Sequence, residues 1–228
     1  MTLEQRLNAV EGHISSTLQS LGRSRDEVTL VVVTKNHPVD LAVELYGLGI
    51  RDFGENRDQE AQPKASEFAQ LVAGANPTWH FVGQLQSNKA KSVASYADVV
   101  HSVDRESLLI ALEKATVERT KPLDVFLQVN LTTDLCRGGV NPAELEAFAE
   151  RVAAASGLNL LGIMAVAALD EPLEGEFEKI AKLSQKLIAV APNAKFISAG
   201  MSQDYETALA YGATHLRIGT AITGKRNY

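Results

Sequence analysis

The sequence has few of the residues that mark disulfide-rich or metal-binding proteins, since its 228 residues include one cysteine and five histidines. Cys136 cannot form an internal disulfide, and the cysteine and histidines do not have the spacing of metal ligands. We therefore interpret Cys136 as an ordinary thiol. No apolar run is long enough to span a bilayer, and the N-terminus lacks the basic-then-apolar pattern of a secretion signal. These absences predict a cytoplasmic protein with no membrane partner.

Positive charges are fewer than negative charges. The chain has 22 Lys and Arg against 28 Asp and Glu, a formal net charge of -6. Nonspecific binding to nucleic acid needs clustered cations, so this balance predicts no nucleic-acid partner. Hydrophobic residues make up 45% and charged residues 22%, which is typical of a folded globular protein. Because no linker-like segment interrupts the chain, we expect residues 1–228 to form one domain.

Short apolar runs alternate along the chain with longer segments of helical period. This alternation is typical of parallel βαβ units, and eight such units predict a TIM barrel. The predicted strands are 30–34, 51–54, 79–83, 99–103, 125–130, 160–166, 196–199 and 215–218, and helical segments include 40–49, 106–120, 142–156, 174–190 and 203–211. Thr2 and Gln5 have the spacing of a capping box, which predicts an extra N-terminal helix. The alternative is an open doubly wound sheet, but the sequence contains no Gly-rich dinucleotide motif or P-loop.

Residues that could bind a ligand lie within the predicted strands or just after their ends. The active site of a TIM barrel lies at the carboxyl ends of its strands, so these side chains should converge on one mouth. They include Lys35, Asn56, His80, Gln128, Asn130, Met164, Ser202, Arg217, Gly219 and Thr220.

The last two strand ends favour a phosphate site. The loops after strands seven and eight bind phosphate in many TIM barrels. Ser202 precedes a predicted helix, where a hydroxyl and free backbone N–H groups can bind an anion. Gly219, followed by Thr220, allows the backbone to approach a phosphate closely. The alternatives are a simple helix cap at Ser202 and an ordinary turn at Gly219.

Lys35 follows a run of four apolar residues, 30–33, and Thr34. A desolvated lysine is a usable amine nucleophile, whereas a surface lysine past the end of the strand is the simpler alternative. A reactive lysine opposite a phosphate site is the arrangement that binds pyridoxal 5′-phosphate (PLP), whose aldehyde forms a Schiff base with lysine. Arg217 could then face the pyridine nitrogen, or it could be a salt-bridged residue of the barrel.

Several motifs resemble those of the pyridoxal phosphate homeostasis protein family, whose fold is similar to the N-terminal barrel of alanine racemase. The motifs are Phe53-Gly-Glu-Asn-Arg57, Trp79-His-Phe-Val-Gly-Gln-Leu-Gln-Ser-Asn-Lys89, Gln128-Val-Asn130, Gly162-Ile-Met164, Gly200-Met-Ser-Gln-Asp204, Arg217-Ile-Gly-Thr220 and Gly224-Lys-Arg226. The resemblance implies that Lys35 carries PLP, that Ser202 holds the phosphate with Gly219 and Thr220, and that Arg217 faces the pyridine nitrogen. Thr34 stands where a serine is commoner in the family.

Three further residues are assigned to cofactor binding with structural alternatives. Asn56 could instead fix a loop, His80 could be a hydrogen-bonded core histidine, and Met164 could be a core residue.

The resemblance implies a monomeric PLP carrier that acts in PLP homeostasis, with PLP-dependent apoenzymes as recipients. Two enzymatic alternatives stay open. An amino-acid racemase on the same barrel would need a second acid/base group, and eight βα units leave few of the 228 residues for another domain. A Schiff-base aldolase would use the lysine without a cofactor, and its colourless protein would differ from a coloured PLP complex.

Overall fold

The computed structural model describes residues 1–132, 134, 137–168 and 171–224 of the chain. Cys136 and the Lys225-Arg226 pair of the last motif lie outside these residues.

Eight parallel strands pair in chain order and close into a barrel. The strands are β1 (Thr29–Val33), β2 (Asp52–Glu55), β3 (Thr78–Phe81), β4 (Val99–Val103), β5 (Leu123–Gln128), β6 (Leu158–Met164), β7 (Phe196–Ser198) and β8 (His215–Ile218). Closure comes from β1 pairing with β8, with Thr29 opposite His215 and Val32 opposite Ile218. The predicted TIM barrel is therefore confirmed, and the open-sheet alternative is wrong. Predicted strand boundaries differ from the observed ones by at most two residues.

Helices precede and follow the strands. Over the described residues they are α1 (Leu3–Ser20), α2 (Val39–Gly47), α3 (Asp58–Leu71), α4 (Ala90–Tyr96), α5 (Glu106–Thr116), α6 (Leu145–Ala153), α7 (Leu173–Val190), α8 (Tyr205–Ala210) and α9 (Thr220–Thr223). The predicted N-terminal helix is confirmed, because Thr2 Oγ1 accepts from Gln5 N and Gln5 Oε1 accepts from Thr2 N. Arg6 on α1 donates from Nε to the carbonyl of Ile222 at 2.6 Å, which fixes α1 against α9.

Two helices begin later than predicted. A helix is predicted from 142, but Asn141 Oδ1 accepts from Ala143 N at 3.0 Å and forms a turn, so α6 begins at Leu145. The segment predicted from 203 is likewise a turn until α8 begins at Tyr205, which places Ser202 in that turn. An Asx turn such as the one at Asn141 competes with helix initiation.

The interior of the barrel contains polar side chains. His101 on β4 and Ser198 on β7 belong to strands that are not neighbours, yet their side chains meet at 2.8 Å. They must therefore cross the barrel interior. The His101 ring stacks on Phe126 with centroids 4.6 Å apart. The larger apolar core lies outside the barrel, between the strands and the surrounding helices.

Candidate functional site

A cavity of about 370 Å³ opens at the carboxyl ends of the strands. Its walls contain seven of the eight residues predicted to bind a cofactor, namely Lys35, Asn56, Met164, Ser202, Arg217, Gly219 and Thr220. A cavity of similar size, about 390 Å³, lies between α3 and α4, away from the strand ends, and contains none of them. The convergence expected from the strand-end rule is thus present at the barrel mouth.

Lys35 lies in a tight turn directly after β1. The turn closes through a hydrogen bond of 3.1 Å from His37 N to the Thr34 carbonyl, and Asn36 has a positive φ of 58°. Asparagine tolerates this left-handed conformation better than most residues. Lys35 itself is exposed, so its amine is solvated, as the surface-lysine interpretation expects, although the side chain also lines the cavity.

A buried ion pair supports the Lys35 turn. Lys64 Nζ on α3 lies 2.5 Å from Glu55 Oε1 and donates to the Thr34 carbonyl at 2.9 Å. Thr34 Oγ1 donates to the same Glu55 oxygen at 2.7 Å, a bond that a serine at this position could also make. Burial raises the pKa of Glu55, while Lys64 and Thr34 oppose the rise. Sequence reasoning missed this pair because α3 contains Pro63 and was not among the predicted helices.

Ser202 and the segment after β8 meet at one side of the cavity. Ser202 Oγ accepts from Ala221 N at 3.3 Å and lies 3.5 Å from Thr220 Oγ1. A Cβ added at Gly219 would meet Val33 at 3.5–3.6 Å, which is ordinary contact. Packing against the protein therefore does not require glycine here, and its missing side chain leaves room at the cavity wall. Two hydroxyls and exposed backbone form an environment suited to an anion.

Arg217 closes the floor of the cavity. Only 6% of it is exposed, and it donates from Nη1 to Ser198 Oγ at 2.6 Å and from Nη2 to the Ala165 carbonyl at 3.0 Å. Burial lowers the pKa of Arg217 to about 10 and Asp204 opposes the change, so the guanidinium is still protonated at neutral pH. Within the described part of the chain no carboxylate lies within 4.0 Å of it, which argues against the salt-bridged alternative.

Asn56 presents an unused acceptor. Its Oδ1 is buried and has no hydrogen-bond partner among the described residues. Such an atom is costly unless a ligand or water satisfies it. The neighbouring Gly83 is required by close packing, since a Cβ there would lie 2.1 Å from the Asn56 carbonyl oxygen. Gly83 therefore allows the β3 loop to approach Asn56 at the cavity wall.

His80 does not line the cavity. The structure places it in the barrel interior, where Nδ1 lies 2.9 Å from His101 Nε2 and Nε2 lies 3.0 Å from Asp52 Oδ1. This position corresponds to the hydrogen-bonded core histidine that was the alternative. Met164 combines both interpretations, because it packs on Phe126 and also lines the cavity.

The described residues contain neither a candidate metal site nor a candidate membrane-spanning helix. Over 1–132, 134, 137–168 and 171–224, no group of three His, Cys, Asp or Glu side chains could hold a metal ion. In the same part of the chain, no helix has the length and apolar character needed to cross a membrane.

Comparisons with known proteins match almost the whole chain. Residues 6–227 match the family model described as the alanine racemase N-terminal domain. The pyridoxal phosphate homeostasis protein of Vibrio alginolyticus is 36% identical over 100% of this chain and 99% of that protein. The protein of the same name from Escherichia coli is 36% identical over 99% of this chain and 97% of that protein. PipY of Synechococcus elongatus, solved with PLP bound, is 35% identical with a TM-score of 0.80, covering 92% of this chain and 100% of that one.

Proposed function

Because this chain belongs to the family of pyridoxal phosphate homeostasis proteins, on the barrel of the alanine racemase N-terminal domain, we propose that it binds PLP at the barrel mouth. The observation that carries the proposal is the single cavity that contains Lys35, Ser202, Gly219, Thr220 and Arg217 together. These residues come from the ends of β1, β7 and β8, and β1 is far from the other two strands in the sequence, so their meeting is a property of the fold.

The cavity walls fit the chemical groups of PLP. Ser202 and Thr220 hydroxyls, with the backbone at Gly219, would hold the phosphate. The protonated Arg217 would donate to the pyridine nitrogen, which is then an acceptor. The unpartnered Asn56 Oδ1 offers an acceptor beside the ring. When bound, PLP supplies an aldehyde that condenses with a lysine amine, and Lys35 is the lysine on the wall of this cavity within the described residues.

We further propose a carrier rather than an enzyme, a cytoplasmic monomer that passes PLP to PLP-dependent apoenzymes. The family name supports a role in homeostasis. The cavity chemistry supports it too, because a donor at the pyridine nitrogen weakens the ring as an electron sink. The racemase alternative needs a second acid/base group on the far face of the cofactor. Besides Lys35, the ionisable side chains on the described cavity wall are Arg217 and Asp204.

Asp204 is already engaged in structure. Its Oδ1 accepts from Met201 N at 2.5 Å, and it precedes α8. Arg217 stays protonated and would not remove a proton. Lys35 is therefore the one group on the described cavity wall that could carry a proton to or from a substrate. Racemisation requires two such groups, one on each face of the cofactor.

Equilibrium dialysis with absorption spectroscopy tests the proposal. We expect retention of one PLP per chain with a visible band distinct from that of free PLP. Pyridoxal, which lacks the phosphate, should be retained far less, and inorganic phosphate should compete with PLP. A colourless protein that retains neither compound but cleaves or condenses a sugar phosphate would contradict the proposal and favour the aldolase.

A further inference from the structure

Hydrogen bonds connect five side chains between the amino ends of the strands and the cavity at their carboxyl ends. Asp52 Oδ1 lies 3.0 Å from His80 Nε2, and His80 Nδ1 lies 2.9 Å from His101 Nε2. His101 Nδ1 lies 2.8 Å from Ser198 Oγ, which accepts from Arg217 Nη1 at 2.6 Å. The side chains come from β2, β3, β4, β7 and β8, so the connection runs through the barrel interior.

The connection begins near solvent and ends at the cavity. Asp52 is the first residue of β2, and its side chain is 28% exposed. His80 is 2% exposed, and His101 and Ser198 are fully buried. Arg217 lines the cavity at the opposite end. Water therefore reaches the two ends more readily than the middle.

The chemistry of the two ends selects one direction for the bonds. Arginine can only donate, so Ser198 Oγ accepts from Arg217 and keeps its own O–H for another acceptor. The carboxylate of Asp52 can only accept, so His80 must carry its proton on Nε2. In a neutral His80 ring, Nδ1 is then an acceptor.

His101 connects these two conclusions. Burial lowers the pKa of the ring well below the ordinary value, so the ring is neutral and has one N–H. Its Nε2 must donate to His80, which leaves Nδ1 to accept the Ser198 O–H. Each donor then faces an acceptor, in the order Arg217, Ser198, His101, His80 and Asp52.

We propose that Asp52, His80, His101 and Ser198 form a one-way hydrogen-bond chain that positions the Arg217 guanidinium for the cofactor ring. The Ser198 hydroxyl and the Ala165 carbonyl each hold one terminal nitrogen, at 2.6 and 3.0 Å. With both nitrogens held, the plane of the guanidinium is fixed and its remaining N–H groups keep one orientation. This role rests on the proposed function for its ligand, but the hydrogen-bond chain is present in the protein without PLP. His80 is then a positioning residue rather than a cofactor contact.

Tautomers of the two histidines test the direction in the PLP-free protein. In ¹⁵N-labelled protein at neutral pH, we expect His80 and His101 each to carry their proton on Nε2, with Nδ1 unprotonated. A proton on Nδ1 of His101, or on both nitrogens of His80, would reverse the order and overturn the inference.

Ser198→Ala tests the positioning. In the PLP-free protein we expect the Arg217 side-chain N–H signals to broaden or average, because one of the two bonds that hold the guanidinium is lost. PLP should then bind about five- to tenfold more weakly, the scale of a typical net hydrogen bond. Ser102→Ala is the matched control, since Ser102 is also fully buried on β4 and its Oγ has no hydrogen-bond partner within the described residues.

The outcomes separate this inference from the proposed function. If wild-type protein does not bind PLP, the proposed function fails. The histidine tautomers and the Arg217 N–H signals then still decide whether the hydrogen-bond chain exists. If wild-type protein binds PLP while Ser198→Ala keeps both its affinity and sharp Arg217 signals, the positioning role is wrong. In Asp52→Ala, His80 should be a mixture of the Nε2–H and Nδ1–H tautomers. A His80 ring that stays in the Nε2–H form would show that Asp52 does not set the direction of the hydrogen bonds.

Discussion

Lys64 and Glu55 form an ion pair of 2.5 Å in which the two side chains are 6% and 1% exposed. The pair joins α3 to the end of β2, and Lys64 also donates to the carbonyl of Thr34, the residue before Lys35. Buried pairs of this kind contribute little net stability, because desolvation offsets their attraction, but removal of one partner is costly. The relationship is therefore expected to determine where the Lys35 turn lies.

Removal of the cation should destabilise the fold strongly. We expect Lys64→Met to lower the free energy of unfolding by about 3–5 kcal/mol, since Glu55 is left buried without its partner. The double variant Lys64→Met/Glu55→Leu should recover part of the loss. Lys91→Met, at an exposed lysine on α4, should stay within about 0.5 kcal/mol of wild type. Urea unfolding measures all three, and a double variant less stable than Lys64→Met would contradict the account.

Acid should destabilise the barrel through His215. Burial lowers the pKa of His215 to about 3, with His80 and Arg217 acting in the same direction and Asp52 opposing them. The unfolded chain then binds a proton at this residue below pH 6.5 that the folded chain does not bind, so stability falls as the pH falls from 6.5 towards 3. The slope from one such group is about 1.4 kcal/mol per pH unit.

Replacement of His215 should remove that slope. Urea unfolding of His215→Gln between pH 7 and 4 should show a dependence shallower by about 1.4 kcal/mol per pH unit, whatever its stability at pH 7. Asn8→Gln, at an exposed and non-ionisable residue of α1, is the control and should keep the wild-type slope. Parallel pH curves for wild type and His215→Gln would show that His215 titrates alike in the folded and unfolded states.

Loss of the Ser202 hydroxyl should weaken PLP retention. Its Oγ lies with Thr220 and the backbone of Ala221 at the proposed phosphate site. We expect Ser202→Ala to cost about 1 kcal/mol of binding free energy or somewhat more, roughly five- to tenfold in Kd. Ser156→Ala, an exposed serine before β6 at the other end of the barrel, is the control. Equal Kd values for the two variants in equilibrium dialysis would remove Ser202 from the phosphate site.

PLP-loaded protein should not racemise amino acids at enzyme-like turnover. Lys35 could exchange the α-proton of a bound amino acid on one face, but inversion needs a second group on the other face. Incubation with L- or D-alanine in deuterated water separates the two events, because α-proton exchange and optical rotation are followed independently. We expect slow exchange with retained configuration. Inversion that is fast in wild type and lost in Lys35→Ala would establish the racemase instead.

The strand pattern was predictable from sequence, whereas several side-chain partners were not. Runs of apolar residues between segments of helical period mark buried parallel strands wherever they occur, which is why all eight were placed within two residues. The strand-end rule then brought Lys35, Ser202 and Arg217 to one mouth. His80 shows the limit of that rule, because it lies one residue before the end of β3 and its side chain turns into the barrel.

Contacts between distant segments explain the remaining differences. The pairing of His101 with Ser198, 97 positions apart, depends on how β4 and β7 face each other across the barrel, which no local pattern encodes. The contact of Lys64 with Glu55 was not predicted for a different reason. Pro63 interrupts the helical pattern of α3 in the sequence, although the helix continues past it. Helices α6 and α8 begin later than predicted because turns form hydrogen bonds with the backbone N–H groups before each helix begins.

Attachment of PLP to Lys35 tests the central claim most directly. After PLP loading and dialysis, borohydride reduction makes the lysine linkage permanent, and peptide mass mapping identifies the modified residue. We predict modification at Lys35, loss of the visible band in Lys35→Ala with the fold intact, and an unchanged band in Lys89→Ala, whose lysine lies 3.6 Å from Asp58 beside a neighbouring cavity. Modification at Lys89 or Lys225, or a band that persists in Lys35→Ala, would contradict the account.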